Sequence, residues 1–324
     1  MAAVLTEPIE KYALSKKDQP KAQFAQVGIV GCGSTGQQLS LMIAARGMDV
    51  VFLELSNEKI AQAIKEIDEE LTNKINHWGM TDSEKRAILT RIKGTLDYQD
   101  FKDCDLVIEA ILSKTREDSR EIRKKVFKSI EQHVSPNTII ATNSTTIVIT
   151  EFATELVHKK RCISMHISTT APDASVVEIV KGLYTSTETM DNIKHFLKLL
   201  GKKFIPVEES PGLITVRLYA PLINEACDIL SENVASLQDI DFAMRNGFGM
   251  PLGPFEMADK IGLDRVVRWL DNLYIEFGDL RYKASPLLKR YVRGNQLGRK
   301  TLQGFYKYDN LGQKICPECN TQVS

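Results

Sequence analysis

Six residues constrain this chain more than any others. Gly31-Cys32-Gly33-Ser34-Thr35-Gly36 follow an apolar run, Val27-Gly28-Ile29-Val30, and precede a segment with helical spacing that extends to Arg46. In a strand that feeds a helix through Gly-x-Gly-x-x-Gly, the first glycine allows the tight turn. The second lets backbone approach a pyrophosphate seated on the helix N-terminus, and the third lets the helix pack close to the strand. The next strand, Asp49-Val50-Val51-Phe52-Leu53, ends on Glu54, about 20 residues on, where an acid meets a ribose diol. That context favours a dinucleotide over the alternative of a glycine turn with no ligand. Glu54 would accept from both adenine-ribose hydroxyls and repel a 2′-phosphate, and Leu55-Ser56-Asn57 brings no arginine, so NAD is expected over NADP. Gly31, Gly33, Ser34, Thr35, Gly36 and Glu54, with Glu109 and Asn143 from later strand ends, are the candidate cofactor contacts.

The alternation continues. Gly47 is placed to end the first helix, Ser56 to cap the long helix that follows, and Thr81-Asp82-Ser83-Glu84 to form a capping box. Leu106–Ile108 and Thr138–Thr142 read as strands around a charged helix from Thr115 to His133. Arg161–His166, Val176–Val180 and Phe204–Val207 read as further strands, the last after a helix near Asp191–Leu200. Strands alternating with helices imply crossover connections and a mostly parallel, doubly wound α/β sheet. After Ser210-Pro211-Gly212 the period changes: Leu213, Arg217, Leu218, Leu222, Ile223 and Ala226 follow helical spacing. Ser236 starts another helix, Phe255–Phe277 and Pro286–Val292 read as helical, and Gly304–Tyr308 is strand-like but too short to form a sheet alone. The expected organisation is a tail (1–22), a dinucleotide-binding domain (23–208), an all-helical domain (209–310) and a second tail (311–324).

Composition excludes several classes. The 324 residues carry 42 basic and 42 acidic side chains, a net charge of 0, which is no footprint for nucleic acid. No apolar run approaches the ~18 residues of a membrane span. The opening 22 residues include Glu7, Glu10 and Asp18, have no arginine and lack an apolar core, unlike a signal or transit peptide. Six scattered cysteines fit a reducing cytoplasm better than a disulfide scaffold. Two of them, in Cys316-Pro317-Glu318-Cys319, look like half of a zinc ribbon, but no second pair exists to complete four ligands, so free thiols in a tail are expected and no metal.

His166 and Glu178 are twelve residues apart on consecutive strand-like segments, and Glu178 sits in Val-Val-Glu-Ile-Val. A buried carboxylate there needs a partner, and His166 is the natural one. A carboxylate on one ring nitrogen holds the tautomer and raises the basicity of the other, which suits a base that takes a proton from a secondary alcohol as hydride leaves. The same spacing also fits a purely structural His–Glu pair. Asn143-Ser144-Thr145-Thr146 follows a strand at the ligand-binding edge; its hydroxyls suit a substrate oxygen, or alternatively a cap for the helix near Thr150.

Together these residues resemble the 3-hydroxyacyl-CoA dehydrogenase family, especially its bacterial 3-hydroxybutyryl-CoA members, from about Gln26 to Tyr308. The most specific stretches are Ala235-Ser236-Leu237-Gln238-Asp239-Ile240-Asp241, Pro251-Leu252-Gly253-Pro254-Phe255-Glu256, Leu297-Gly298-Arg299-Lys300-Thr301 and Gly304–Tyr308. The resemblance implies a Rossmann-type NAD domain, a helical domain that dimerises, an acyl-CoA substrate, and His166 and Glu178 as the catalytic pair. It sets Thr145 at the family's substrate-contacting serine and Lys74 at the lysine that meets CoA phosphates. Two segments depart. The usual His-Phe-Phe-Asn-Pro is His166-Ile167-Ser168-Thr169-Thr170, and Pro-Gly-Phe-x-x-Asn-Arg is Pro211-Gly212-Leu213-Ile214-Thr215-Val216-Arg217. Val216 replaces the asparagine expected near the substrate carbonyl, with Thr169 or Thr215 as the available substitutes. The departures keep two other readings in view: a non-CoA 3-hydroxy acid or β-hydroxy carbonyl compound as substrate, and an NAD-binding protein with little or no turnover.

Overall fold

The computed structural model describes residues 24–76, 79–111, 116–167, 176–310 and 312–315. The tail at 1–22, Thr169, and the Cys316 and Cys319 pair lie outside the described residues. Eight strands form one sheet: β1 (Gln26–Val30), β2 (Asp49–Leu53), β3 (Ile92–Thr95), β4 (Leu106–Glu109), β5 (Ile139–Thr142), β6 (Cys162–Ile167), β7 (Val176–Lys181) and β8 (Lys203–Glu208). Their order is β3-β2-β1-β4-β5-β6-β7-β8. β2 pairs in parallel with β1 and β3, and β8 with β7, whereas β6 and β7 run antiparallel. By internal packing the chain groups into two compact units, residues 24–108 with 129–140, and residues 109–128 with those from 141 onward.

In the first unit, α1 (Ser34–Ala44) follows β1, and α2 (Asn57–Asn76) and α3 (Asp82–Leu89) follow β2. α1 stops two residues short of Arg46, and Gly47 takes the left-handed conformation (φ 85°) beyond it. Ser56 Oγ accepts from Lys59 N at 3.4 Å, and Thr81 and Glu84 close a capping box. β3 has no apolar run to announce it, because its centre is Lys93-Gly94. A Cβ on Gly94 would come within 2.4 Å of Ile60 Cγ2, so the glycine admits α2 against the strand.

In the second unit, α4 (Arg116–His133, shared with the first), α5 (Ile149–Ala153) and α6 (Thr187–Leu199) accompany the sheet. The helical part then comprises α7 (Thr215–Ser231), α8 (Leu237–Phe248), α9 (Pro254–Ile261), α10 (Leu263–Phe277) and α11 (Pro286–Arg293). Leu213 falls outside α7, at φ 51°. The expected single run from Phe255 to Phe277 is two helices, split where Gly262 adopts φ 98°. Gly304–Tyr308 is not a strand; this stretch makes only isolated bridges, Gln303 with Lys307 and Tyr308 with Lys314. Two buried aspartates secure it. Asp259 accepts from the N–H groups of Phe305 and Tyr306, each at 2.9 Å, and Asp241 from Tyr306 Oη at 2.9 Å. A Cβ on Gly304 would lie 1.9 Å from Asp259 Oδ1, which accounts for the glycine.

Candidate active site

The three glycines of the Gly31-x-Gly33-x-x-Gly36 motif, in the first unit, differ in what requires them. Gly31 sits at φ 92°, in the left-handed region, and donates to Leu53 O at 3.0 Å. A Cβ on Gly36 would stand 2.1 Å from Gly31 O, so α1 can begin against the turn only through a glycine. Gly33 has an ordinary φ of −71°, and a Cβ there would meet nothing within 4 Å. No described residue crowds a Cβ at 33, so the space beside Gly33 is open to a molecule that approaches the backbone. Gly33 is also the N-cap of α1, with no side-chain cap bond and no acid in the first turn, so the N–H groups above exposed Ser34 and half-buried Thr35 are suited to an anion. Glu54 Oε1 accepts from Cys32 N at 2.7 Å, which draws the carboxylate to the glycine turn, and its remaining lone pairs suit ribose hydroxyls. This cradle fits a dinucleotide. The Cys32 thiol beside it is buried, which pushes its pKa up to about 12 and leaves it unreactive.

In the second unit His166 and Glu178 stand directly opposite each other in the β6–β7 ladder. His166 Nδ1 lies 3.0 Å from Glu178 Oε2. Glu178 is 3% exposed, yet both of its oxygens are satisfied. Oε1 accepts from the N–H groups of Ile214 (2.7 Å) and Thr215 (3.2 Å), and Oε2 also accepts from Thr215 Oγ1 (2.6 Å). Burial pulls the carboxyl upward, but the bonds from His166, Thr215 and Ile214 together outweigh it and hold Glu178 below the ordinary glutamate value. An ionised Glu178 fixes the proton of His166 on Nδ1 and leaves the Nε2 lone pair free to act as a base.

The loop after β5 sits beside this pair. Asn143 Oδ1 accepts from Ile167 N at 2.9 Å, anchoring the strand one residue past His166. Thr145 is half-buried, its carbonyl accepts from Gly212 N at 2.6 Å, and its hydroxyl has no partner among the described residues. Thr146 accepts from Asn272 Nδ2 at 2.7 Å. These hydroxyls do not cap α5, whose N-cap is Val148 with no side-chain bond.

Glu109 is fully buried. Its Oε1 accepts from Ile111 N (2.7 Å), and its Oε2 from Arg123 Nε (3.0 Å) and Thr142 Oγ1 (2.6 Å). It clamps the segment after β4, and nothing in the local sequence marks Arg123 as its partner. Val216, 1% exposed, packs with Ala220, Ile223, Leu270 and Leu273 in the helical core. Thr215, expected as a substitute donor for a substrate, gives its hydroxyl to Glu178 instead. Lys74, in the last turn of α2, pairs with Glu70 at 3.2 Å. Among the described residues there is no cluster of three metal-ligating side chains, and no helix is long and apolar enough to cross a membrane.

Residues 26–210 match the 3-hydroxyacyl-CoA dehydrogenase NAD binding domain, and residues 212–308 match the C-terminal domain of the same family. The chain is 37% identical to a 3-hydroxybutyryl-CoA dehydrogenase of Clostridioides difficile, over 88% of this chain and 99% of the relative. It is 30% identical to the human mitochondrial hydroxyacyl-coenzyme A dehydrogenase, over 87% and 90% respectively. The crystal structure of (S)-3-hydroxybutyryl-CoA dehydrogenase from Ralstonia eutropha superposes with a TM-score of 0.78 at 36% identity, covering 89% of this chain and 100% of that one.

Proposed function

The chain belongs to the 3-hydroxyacyl-CoA dehydrogenase family and is an NAD-dependent oxidoreductase, and on that premise we propose that it oxidises a short-chain (S)-3-hydroxyacyl-CoA, of the 3-hydroxybutyryl-CoA kind, to the 3-oxoacyl-CoA. The observation that carries the reading is the His166–Glu178 bond, with the carboxylate held by the start of α7. His166 Nε2 takes the proton of the 3-hydroxyl, and Glu178 holds the ring and stabilises the imidazolium that results. Thr145 donates its hydroxyl to the substrate oxygen. Bound NAD supplies the hydride acceptor, held by Gly31, Gly33, Gly36, Glu54 and the first turn of α1. With purified protein and acetoacetyl-CoA, loss of NADH absorbance should be rapid and saturable, and His166→Gln should abolish it while leaving NADH binding intact. Unchanged turnover in that variant would remove His166 from the mechanism.

A second reading, a free 3-hydroxy acid as substrate, draws on two observations: Lys74 is paired with Glu70, and Val216 is apolar. Acetoacetate turned over faster than acetoacetyl-CoA would favour it.

The reading includes a homodimer through the helical part. Phe242 and Phe248 on α8 are 66% and 80% exposed, and Leu218 on α7 and Val234 nearby are 69% and 68% exposed, more apolar surface than a lone helical face ordinarily presents. Sedimentation should give twice the chain mass, and Phe248→Asp should reduce it. A cytoplasmic location goes with the four described cysteines, all buried free thiols.

A further inference from the structure

Thr215 is the first residue of α7, and it is exposed although it touches a buried carboxylate. Its hydroxyl donates to Glu178 Oε2 at 2.6 Å, and the same oxygen meets His166 Nδ1 at 3.0 Å. Oγ1 itself lies 3.5 Å from Nδ1. Two donors therefore share one carboxylate oxygen, and the shorter bond is not the histidine's. The start of α7 does not need this hydroxyl, because the N–H groups of Ile214 and Thr215 already bond to Oε1.

We propose that Thr215 is a positioning residue of the His166–Glu178 pair: its hydroxyl holds Glu178 and draws negative charge from the oxygen facing Nδ1, so His166 is a weaker base than the pair alone would make it. A carboxylate oxygen that accepts a second strong hydrogen bond stabilises a neighbouring imidazolium less. Thr215 thereby sets the pH at which the base becomes available, without touching the reacting atoms.

Two ionisable groups of the surrounding elements are engaged elsewhere. Arg217, two residues into α7, donates to Ser210 Oγ at 3.2 Å and lies over the Phe277 ring of α10. Glu209, just past β8, accepts from Thr150 N at 2.8 Å. Lys181 is exposed at the end of β7, in register with Glu208, whereas Glu178 itself faces Ile205 on β8. The group that shares Glu178 Oε2 with Thr215 is His166.

The catalytic consequence rests on the proposed role of His166 as the base, so the test reads the histidine directly. In the full chain, the His166 ring is titrated by proton–carbon correlation NMR, with its signal among five histidines assigned by its loss in His166→Gln. Thr215→Val keeps the shape and removes the hydroxyl; the midpoint should rise by about half a unit, since one hydrogen bond to the charged carboxylate is lost. Thr215→Ser keeps the hydroxyl and should titrate like the parent. In acetoacetyl-CoA reduction, which needs protonated His166, the alkaline limb of kcat/KM should move upward with the midpoint in the valine variant alone. A folded valine variant with the parent midpoint overturns the proposal, as does a serine variant shifted as far as the valine one. A shifted midpoint in a protein that never turns over acetoacetyl-CoA supports the coupling and refutes the thioester reading instead.

Discussion

Gly33 and Gly36 are three residues apart in one motif, yet alanine at each should fail in opposite ways. At Gly36 the new methyl would stand 2.1 Å from a backbone carbonyl, Gly31 O, in a turn with no room to move. Overpacking costs about 1–3 kcal/mol and more where backbone must move, so Gly36→Ala should unfold at a clearly lower temperature. At Gly33 the methyl would enter open space at an ordinary φ. The smaller unfolded-state entropy of alanine offsets its poorer N-cap character, leaving stability within ~1 kcal/mol of the parent. The methyl occupies the space through which a pyrophosphate reaches the first N–H groups of α1. Each bond to a charged oxygen contributes ~1.5–3 kcal/mol, so losing one should raise the NADH dissociation constant roughly 10- to 100-fold. Fluorescence titration with NADH and thermal unfolding by circular dichroism, run on both variants, separate the two effects. Gly33→Ala binding NADH with the parent affinity would rule out a pyrophosphate seated against Gly33.

Glu54→Ala should weaken NADH binding about tenfold and narrow the preference over NADPH, with an unchanged NADH dissociation constant as the contrary result. Val216→Asn buries an amide among aliphatic side chains; thermal unfolding should show a loss of ~1–3 kcal/mol without a gain in turnover, and a gain would mean that position 216 meets the substrate. Burial raises Asp259 from 3.8 to about 6, against the bonds from Tyr306, Phe305 and Tyr308. A folded value above the unfolded one means that its stabilisation is complete below 3.8 and is lost as pH rises through about 6. The stability difference between the parent and Asp259→Asn should therefore fall by roughly 2–3 kcal/mol between those pH values and then level off, and a constant difference would contradict it.

What the sequence revealed depended on whether a feature is local. β1, β2 and β5 are continuous apolar runs, and the caps at Ser56, Thr81 and Ser236 lie within three residues of the groups they bond, so all were legible. β3 was not, because Lys93-Gly94 is shaped by Ile60 of a helix more than thirty residues earlier. The break at Gly262 was hidden because the apolar spacing continues across it into α10. In the site, His166 and Glu178 were legible because the ladder sets them opposite each other. Thr215 could be seen only as a substitute donor for the asparagine that Val216 replaces, and its bond to Glu178 was hidden because that partner lies 37 residues away. Glu109, expected at the cofactor, bonds to Arg123 and Thr142, and those bonds depend on how a helix and a neighbouring strand return to it.

The β6–β7 register separates what must be kept from what is free to diverge. Because His166 and Glu178 are matched in the ladder, their alignment is set by the register of the two strands. A one-residue slip would send one partner to the opposite face of the sheet, so selection on the pair acts on strand phase. Substitutions that keep the phase of both strands keep His166 opposite Glu178. A lineage, or a protein engineer, can therefore exchange other residues of β6 and β7 without separating these two side chains, so long as neither strand gains or loses a residue.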